Sequence, residues 1–392
     1  MNRRRIKDDV FLLGAVDWSR RLFDSLIPLP DGTSYNSYLI CGSEKTALLD
    51  SVDPSMADVL LPQITNRAKI DYIVSHHAEQ DHSGSIPMVL EKYPDAKVVC
   101  TTKARGMLMD LLHIPEESFH AVEDGSTLSL GTKTLEFIYT PWVHWPETMV
   151  TYLREDRMLF SCDFFGSHIA SSNMFVVDKG RVHEAGKRYF AEIMMPFRDV
   201  IGKNLEKLKK YDIDMIAPSH GLIYDDPAWI MDAWRDWVFA PPKNLVVLPY
   251  VSMHESTARM VDHLTSKLVD NGVRVELYDL TVTDIGKLAM SLVDGATIVV
   301  GTPTVLAGPH PLAAYATFLA NALRPRARYL SIIGSYGWGG KTVETLSAMI
   351  PNLKVEVIDP VLCKGLPTKE VFAAIDVMAD TIAEKHREQG FS

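Results

Sequence analysis

Ser75-His76-His77-Ala78-Glu79-Gln80-Asp81-His82-Ser83-Gly84 packs imidazoles and carboxylates into one short turn, directly behind the apolar run Ile70-Asp71-Tyr72-Ile73-Val74. A run of that kind reads as a buried strand, so the turn at its end buries several ionisable groups together. Desolvated charges are costly unless compensated, and the cluster therefore calls for a cation. Neutral imidazole and ionised carboxylate are both good metal ligands. His77, Glu79 and Asp81 stand at i, i+2 and i+4 with His82 adjacent. In a loop that turns once, such spacing can serve two ions, which in paired sites typically lie about 3.5–4 Å apart.

The same pattern recurs outward from this stretch. Thr134-Leu135-Glu136-Phe137-Ile138-Tyr139 leads through Thr140-Pro141-Trp142-Val143 to His144, followed by Trp145 and Pro146. A hairpin of Met149 to Leu153 and Met158 to Cys162, turned at Glu155-Asp156-Arg157, delivers Asp163, and Met215 to Ser219 delivers His220. A single His or Asp behind a strand is more often a cap or a satisfied polar residue. Strand after strand ending in such residues is what one bound centre at a single sheet edge requires, and the two oxygens of Asp163 suit a bridge. His76 reads as structural or as a support to the ligands, and Trp145 as a wall of the site or as packing.

Between these points, Tyr35 to Cys41 and Thr46 to Asp50 flank Gly42-Ser43-Glu44-Lys45 as a hairpin. Helical patterns cover residues 54–66, Gly84 to Lys92, Glu184 to Tyr211 with a break at Pro196, and Asp226 to Val238; Lys97 to Thr101 is a short strand. This order is an α/β layered arrangement. Ala240-Pro241-Pro242 breaks the last of these helices and places a domain boundary at residue 243.

A chain of 392 residues, 47% hydrophobic and 23% charged, is an ordinary globular composition spread over two or three domains. A net charge of −10 argues against a nucleic-acid or anionic-membrane binder. No apolar run approaches the roughly 20 residues of a membrane helix. The basic start, Met1 to Lys7, is followed by a short apolar stretch interrupted by Gly14, so a solvated tail entering a first strand is expected rather than an export signal. Cys41, Cys100, Cys162 and Cys363 form no Cys-x-x-Cys pair, which points to buried thiols in a reducing, cytoplasmic setting.

From Asn244 the rhythm becomes regular βα alternation: strands at Leu245 to Tyr250, Val273 to Tyr278, Ala296 to Gly301, Tyr329 to Gly334 and Lys354 to Ile358, with a last helix from Thr368 to Glu384. That is a doubly wound sheet of flavodoxin-like type. Ser252-Met253-His254-Glu255-Ser256-Thr257 opens a helix and suits a monophosphate; ordinary N-capping by Ser256 is the plainer alternative. Gly301-Thr302-Pro303-Thr304 and Gly334-Ser335-Tyr336-Gly337-Trp338-Gly339-Gly340 end the third and fourth strands. Three loops at the carboxyl ends of adjacent strands converge on one crevice, where Tyr336 and Trp338 can flank a flat ring.

The order His-x-Glu-x-Asp-His, then His144, Asp163 and His220, resembles the metallo-β-lactamase fold, whose hydrolases usually carry His-x-His-x-Asp-His and bind zinc. Glu79 stands in place of the second His; a carboxylate there hardens the site and favours iron. With the C-terminal half, the chain resembles the flavodiiron proteins over nearly its whole length. The resemblance implies an α/β chain with a metallo-β-lactamase-like αββα sandwich over residues 1–243, followed by a flavodoxin-like parallel sheet of order 2-1-3-4-5 over 244–392. It implies two non-haem irons, one held by His77, Glu79 and His144, the other by Asp81 and His220, with Asp163 bridging and His82 a ligand only in some members. It implies FMN on the loops Ser252–Thr257, Thr302–Thr304 and Ser335–Gly339, with the Glu255 side chain turned away.

The activity implied is reduction of dioxygen to water, or of nitric oxide to nitrous oxide, with electrons relayed through FMN. With no Cys-x-x-Cys behind the last helix, the donor is expected to be separate: a rubredoxin-like protein or a soluble reduced coenzyme such as a reduced deazaflavin. A head-to-tail homodimer, or a dimer of dimers, would bring one subunit's flavin to the other's irons. A zinc hydrolase with a docking module is disfavoured by Glu79 and by the flavin loops. An electron carrier with a structural N-terminal domain is disfavoured by the full ligand set, because buried polar residues without metal destabilise.

Overall fold

The computed structural model describes residues 3–65 and 69–391. The chain divides into two compact units, Met1–Tyr189 with Phe197–Val238, and Phe190–Pro196 with Phe239–Ser392.

The first unit is built on two sheets. One runs Arg4–Lys7, Val10–Asp17, Thr33–Cys41, Thr46–Leu49, Tyr72–Val74, Lys97–Thr101, Phe119–Val122 in spatial order. The other runs Thr127–Ser129, Thr134–Tyr139, Met149–Leu153, Met158–Cys162, Met215–Pro218. Their inner faces share one core: Tyr38, Ile40, Leu49, Val74 and Val99 pack with Phe137, Met149, Leu153, Phe160 and Ala217. Thr33–Cys41 is buried at every position, as a central strand covered on both faces must be.

Strand direction gathers the ligand candidates. Thr134–Tyr139 and Met158–Cys162 both run antiparallel to Met149–Leu153, and Met215–Pro218 runs parallel to Met158–Cys162. All three therefore point the same way, and the residues that follow them, His144, Asp163 and His220, leave from one edge. The backbone N–H of Met149 donates to the His76 carbonyl at 3.1 Å, tying the His-rich turn of the other sheet to that edge.

Four expectations change in detail. The arginine-rich start is not a free tail: Arg4–Lys7 pairs antiparallel with Val10–Asp17, while Met1 and Asn2 lie outside the described residues. Residues 54–66 form a 3₁₀ turn, Pro54–Met56, capped by Asp53, then the helix Ala57–Ile64; residue 66 lies outside the described residues. The turn after Glu79 is itself helical, Gln80–Ser83, and a second helix, Ile86–Lys92, starts after the break at Gly84-Ser85. The region from Glu184 to Tyr211 is interrupted before Pro196: Lys179–Tyr189 is α-helical, Phe190–Met194 a π turn, Met195–Phe197 a 3₁₀ turn and Arg198–Leu208 α-helical again.

The second unit carries a sheet in the order Arg274–Asp279, Lys243–Tyr250, Gly295–Val305, Tyr329–Tyr336, Glu356–Val357, which is 2-1-3-4-5 in chain order and parallel throughout. Ser256–Asp270 and Lys369–Glu388 pack on one face through Met260, Leu264, Ile375, Met378 and Ile382. The fifth strand is shorter than expected. It pairs over Glu356–Val357, breaks at Asp359-Pro360, where proline offers no N–H to the ladder, and resumes at Val361–Lys364 against the far end of Tyr329–Tyr336.

Candidate metal centre

The His-rich turn is held from beneath by Asp50. Its carboxylate accepts from the backbone N–H of His76 at 2.9 Å, meets His76 Nδ1 at 2.7 Å and accepts from Ser219 Oγ at 3.0 Å. His76 Nε2 meets Thr151 Oγ1 at 2.7 Å. Both nitrogens of His76 are therefore used in packing the turn, which makes it structural. The opposite loop is fixed as firmly: Asn36 Nδ2 donates to the carbonyls of Pro218 and Gly221 at 2.9 and 2.8 Å, and the Tyr38 hydroxyl donates to Pro218 at 2.6 Å.

On this frame the structure brings His77, Glu79, Asp81, His82, His144, Asp163 and His220 together, in two halves. In one, Glu79 Oε2 lies 3.1 Å from His77 Nε2 and 3.0 Å from His144 Nε2. In the other, Asp81 Oδ2 lies 3.0 Å from His220 Nε2, and Asp81 Oδ1 3.4 Å from His82 Nε2. Asp163 stands between them. Its Oδ2 faces His77 and His144 at 3.6 and 3.7 Å, and its Oδ1 faces His82 and His220 at 3.0 and 3.5 Å. His77, Glu79, His144 and Asp163 have ligand atoms within 4.8 Å of one another, as do Asp81, His82 and His220.

The residues fit cations. Both oxygens of Asp81, both of Asp163 and Nε2 of His82 are buried without a hydrogen-bond partner. Leaving such groups unsatisfied would cost about 1–3 kcal/mol each, more where charged. Without metal, protons take the cations' place. Burial opposes charge on His77, yet its bonds to Glu147 and Glu79 hold its pKa up at about 10. Burial likewise opposes charge on His82, but Asp163 and Asp81 push its pKa well above the ordinary value. Burial alone would raise Asp163; the surrounding His82, His77 and His220 hold it well below the usual carboxylate range.

Several residues at the site carry no motif signal. Glu147 Oε1 meets His77 Nδ1 at 2.7 Å, and the Ser34 carbonyl accepts from His220 Nδ1 at 2.7 Å. Either contact leaves Nε2 with its lone pair free for a metal, the usual support of a histidine ligand. Cys162 Sγ lies 3.7 Å from His82 Nδ1. His168, buried, meets Thr33 Oγ1 at 2.8 Å through Nδ1, and its ring lies 4.9 Å from both His220 and Tyr189. Asp24, in the short turn after Leu22–Phe23, has its pKa raised to about 6 by partial burial and by the charges of Glu79 and Asp81. Trp145 stands edge-on to His77 with ring centroids 4.9 Å apart, walling that half of the site.

In the second unit the three loops converge. Thr257 Oγ1 and Ser335 Oγ are 3.1 Å apart, and the register pairs Thr302 with Gly334 and Pro303 with Ser335. Thr304 reaches Thr342 at 2.8 Å, hydroxyl to hydroxyl. A side chain at Gly334 would strike the Thr302 carbonyl at 2.3 Å, whereas Gly337 and Gly339 border open space, a cradle of backbone suited to a flat ligand. Tyr336 is half-buried; Met253, His254 and Trp338 are exposed, Trp338 by 85%. Capping by Ser256 is not what the structure shows. The cap is Glu255, at φ +64°, Ser256 is the first helical residue, and Ser252 Oγ accepts from the N–H of Ala258 at 3.1 Å. The Glu255 carboxylate turns outward to Arg259, 3.4 Å away.

A family profile described as "ODP family beta lactamase" matches residues 33–221. The chain is 36% identical over 362 residues to a nitric oxide reductase of Moorella thermoacetica, covering 90% of each chain. It superposes on rubredoxin oxygen:oxidoreductase of Desulfovibrio gigas with TM-score 0.95 at 29% identity, covering 100% of both chains. On a flavodiiron protein of Giardia intestinalis the TM-score is 0.89 at 28% identity, covering 98% of each. The N-terminal unit is metallo-β-lactamase-like, the C-terminal sheet has the flavodoxin-like order, and the chain belongs to the flavodiiron proteins.

Proposed function

We propose that the chain reduces dioxygen to water, nitric oxide to nitrous oxide, or both, at a diiron centre fed by FMN. The observation that carries this reading is the divided carboxylate cluster. Glu79 supplies an oxygen where a zinc hydrolase supplies an imidazole, and Asp163 turns one oxygen to each half of the site. One iron would be held by His77, Glu79 and His144, the other by Asp81, His220 and His82, with Asp163 shared. When bound, the irons would bind and polarise the diatomic and FMN would store and deliver electrons.

The chain's own residues do the rest. Glu147 and the Ser34 carbonyl orient His77 and His220. The buried His77, His82, Asp163 and His220 keep water from one side. His144 and Glu79, with side chains 15% and 12% exposed, leave the approach on the other. FMN would rest its phosphate on Ser252, Met253, His254, Ser256 and Thr257, and its ring against Thr302, Pro303, Thr304, Ser335, Tyr336, Gly337, Trp338 and Gly339.

We take the functional division to lie at residue 243, where Ala240-Pro241-Pro242 ends the last helix before it. A separate rubredoxin-like protein or reduced deazaflavin as donor, a head-to-tail homodimer and a cytoplasmic setting complete the reading; family membership supports them. Among the described residues no helix is long and apolar enough to cross a membrane. The test is metal and flavin analysis of protein purified without oxygen, followed by consumption of each gas with a reduced donor. Two irons and one FMN per chain with turnover of either gas are expected; zinc without flavin overturns the proposal.

A further inference from the structure

The imidazoles at the centre are not supported equally. His77 Nδ1 is bonded to a carboxylate at 2.7 Å and His220 Nδ1 to a peptide carbonyl at 2.7 Å. Among the described residues, His82 Nδ1 has one hydrogen-bond partner, the Cys162 sulfur at 3.7 Å. Sulfur is a weak acceptor and a weak donor. Cys162 and Asp163 are consecutive and face the two nitrogens of this ring: the thiol meets Nδ1, and Asp163 Oδ1 lies 3.0 Å from Nε2. The backbone at Cys162, with φ +51°, turns the strand end where this happens, and its carbonyl is pinned by the N–H of Ser219 at 2.8 Å. His82 Nε2 is aligned for a hydrogen bond with neither carboxylate and is buried between them.

We propose that Cys162 is the positioning residue of His82, and that its weak sulfur contact leaves His82 more easily released than His77 or His220. If Nε2 is on a metal, Nδ1 must carry the ring proton and needs an acceptor; the thiol sulfur is what this chain provides. The ring then depends on a poorer outer partner than His77 or His220 has. Loss of a good outer partner usually weakens a metal site about 10–100-fold. His82 is built close to that condition from the start.

The inference rests on the diiron reading, and the test separates the two. Iron-loaded full-length protein is mixed with ferrozine without oxygen, and release of ferrous ion is followed by absorbance. A wild-type chain that takes up fewer than two irons defeats the diiron reading and this inference with it. With two irons bound, release in two phases is expected. Cys162→Ala should speed one phase roughly threefold to tenfold, below the usual outer-partner effect because the lost acceptor is weak. Cys162→Ser, whose hydroxyl is the better acceptor, should restore or slow that phase, and Glu147→Ala should speed the other.

A purely structural role for the thiol is told apart in a His82→Ala background. There Cys162→Ala should change nothing further, because its effect passes through a ring that is gone. An unchanged release rate in Cys162→Ala, equal acceleration of both phases, or an undiminished effect without His82 overturns the proposal.

Discussion

Loading ferrous ion into the metal-stripped, full-length chain at pH 7 is expected to expel at least two protons per chain. Without metal, His77 has its pKa held at about 10, against burial, by the Glu147 and Glu79 carboxylates, and Asp163 and Asp81 hold His82 well above the ordinary value. At pH 7 a group titrating near 10 is neutral in about one molecule in 1,000, and removing its proton costs about 4 kcal/mol. A metal accepts only the neutral ring, so binding must drive both deprotonations, while Asp163 and Glu79, held ionised, release nothing. Apparent affinity should then rise with pH above neutrality, at least tenfold per unit from His77 alone, a share that flattens toward pH 10 as His77 becomes neutral unaided. The sign for stability follows. The raised pKa of His77 stabilises the metal-free fold fully below its unfolded value near 6.5, and that contribution is lost as pH rises through about 10. Titration calorimetry in two buffers of different ionisation enthalpy counts the protons directly. Fewer than one proton per chain at pH 7 would refute the view that these imidazoles stand in for the cations.

Glu79→His should move the site toward zinc and abolish gas reduction while FMN stays bound; parent-rate turnover in an oxygen electrode would end the argument from Glu79. Trp338→Ala is expected to weaken FMN retention by about threefold to tenfold, the scale of one aromatic contact, and fluorescence titration of the stripped protein would show it. His76→Ala should leave the Asp50 carboxylate buried without its main partner and lower stability by about 3–5 kcal/mol in denaturant melts; an unchanged midpoint would make His76 something other than structural.

What could be read in the sequence, and what could not, divides along the range of the interactions involved. The ligand candidates were legible because each sits at the end of an apolar run, and strand ends are local signals. The layered order followed from the same runs. The outer partners were not legible: Glu147 lies 70 residues from His77, Ser34 186 from His220 and Cys162 80 from His82. Each is a common residue type beside a strand, and only sheet register decides what it touches. The misread boundaries have local causes of another kind. Arg4–Lys7 is charged yet strand-forming because an edge strand tolerates cations facing water. Pro360 splits the fifth strand of the second sheet, since its neighbours can pair with Tyr329–Tyr336 only on either side of a missing N–H. The cap before Ser256–Asp270 fell to Glu255 because Ser252, earlier in the loop, already supplies the hydroxyl that the helix N-terminus needs. A motif therefore locates which residues meet a bound ion or cofactor. How firmly each is held is written in contacts that only the folded chain creates, and at this centre the difference between Glu147 and Cys162 is of that second kind.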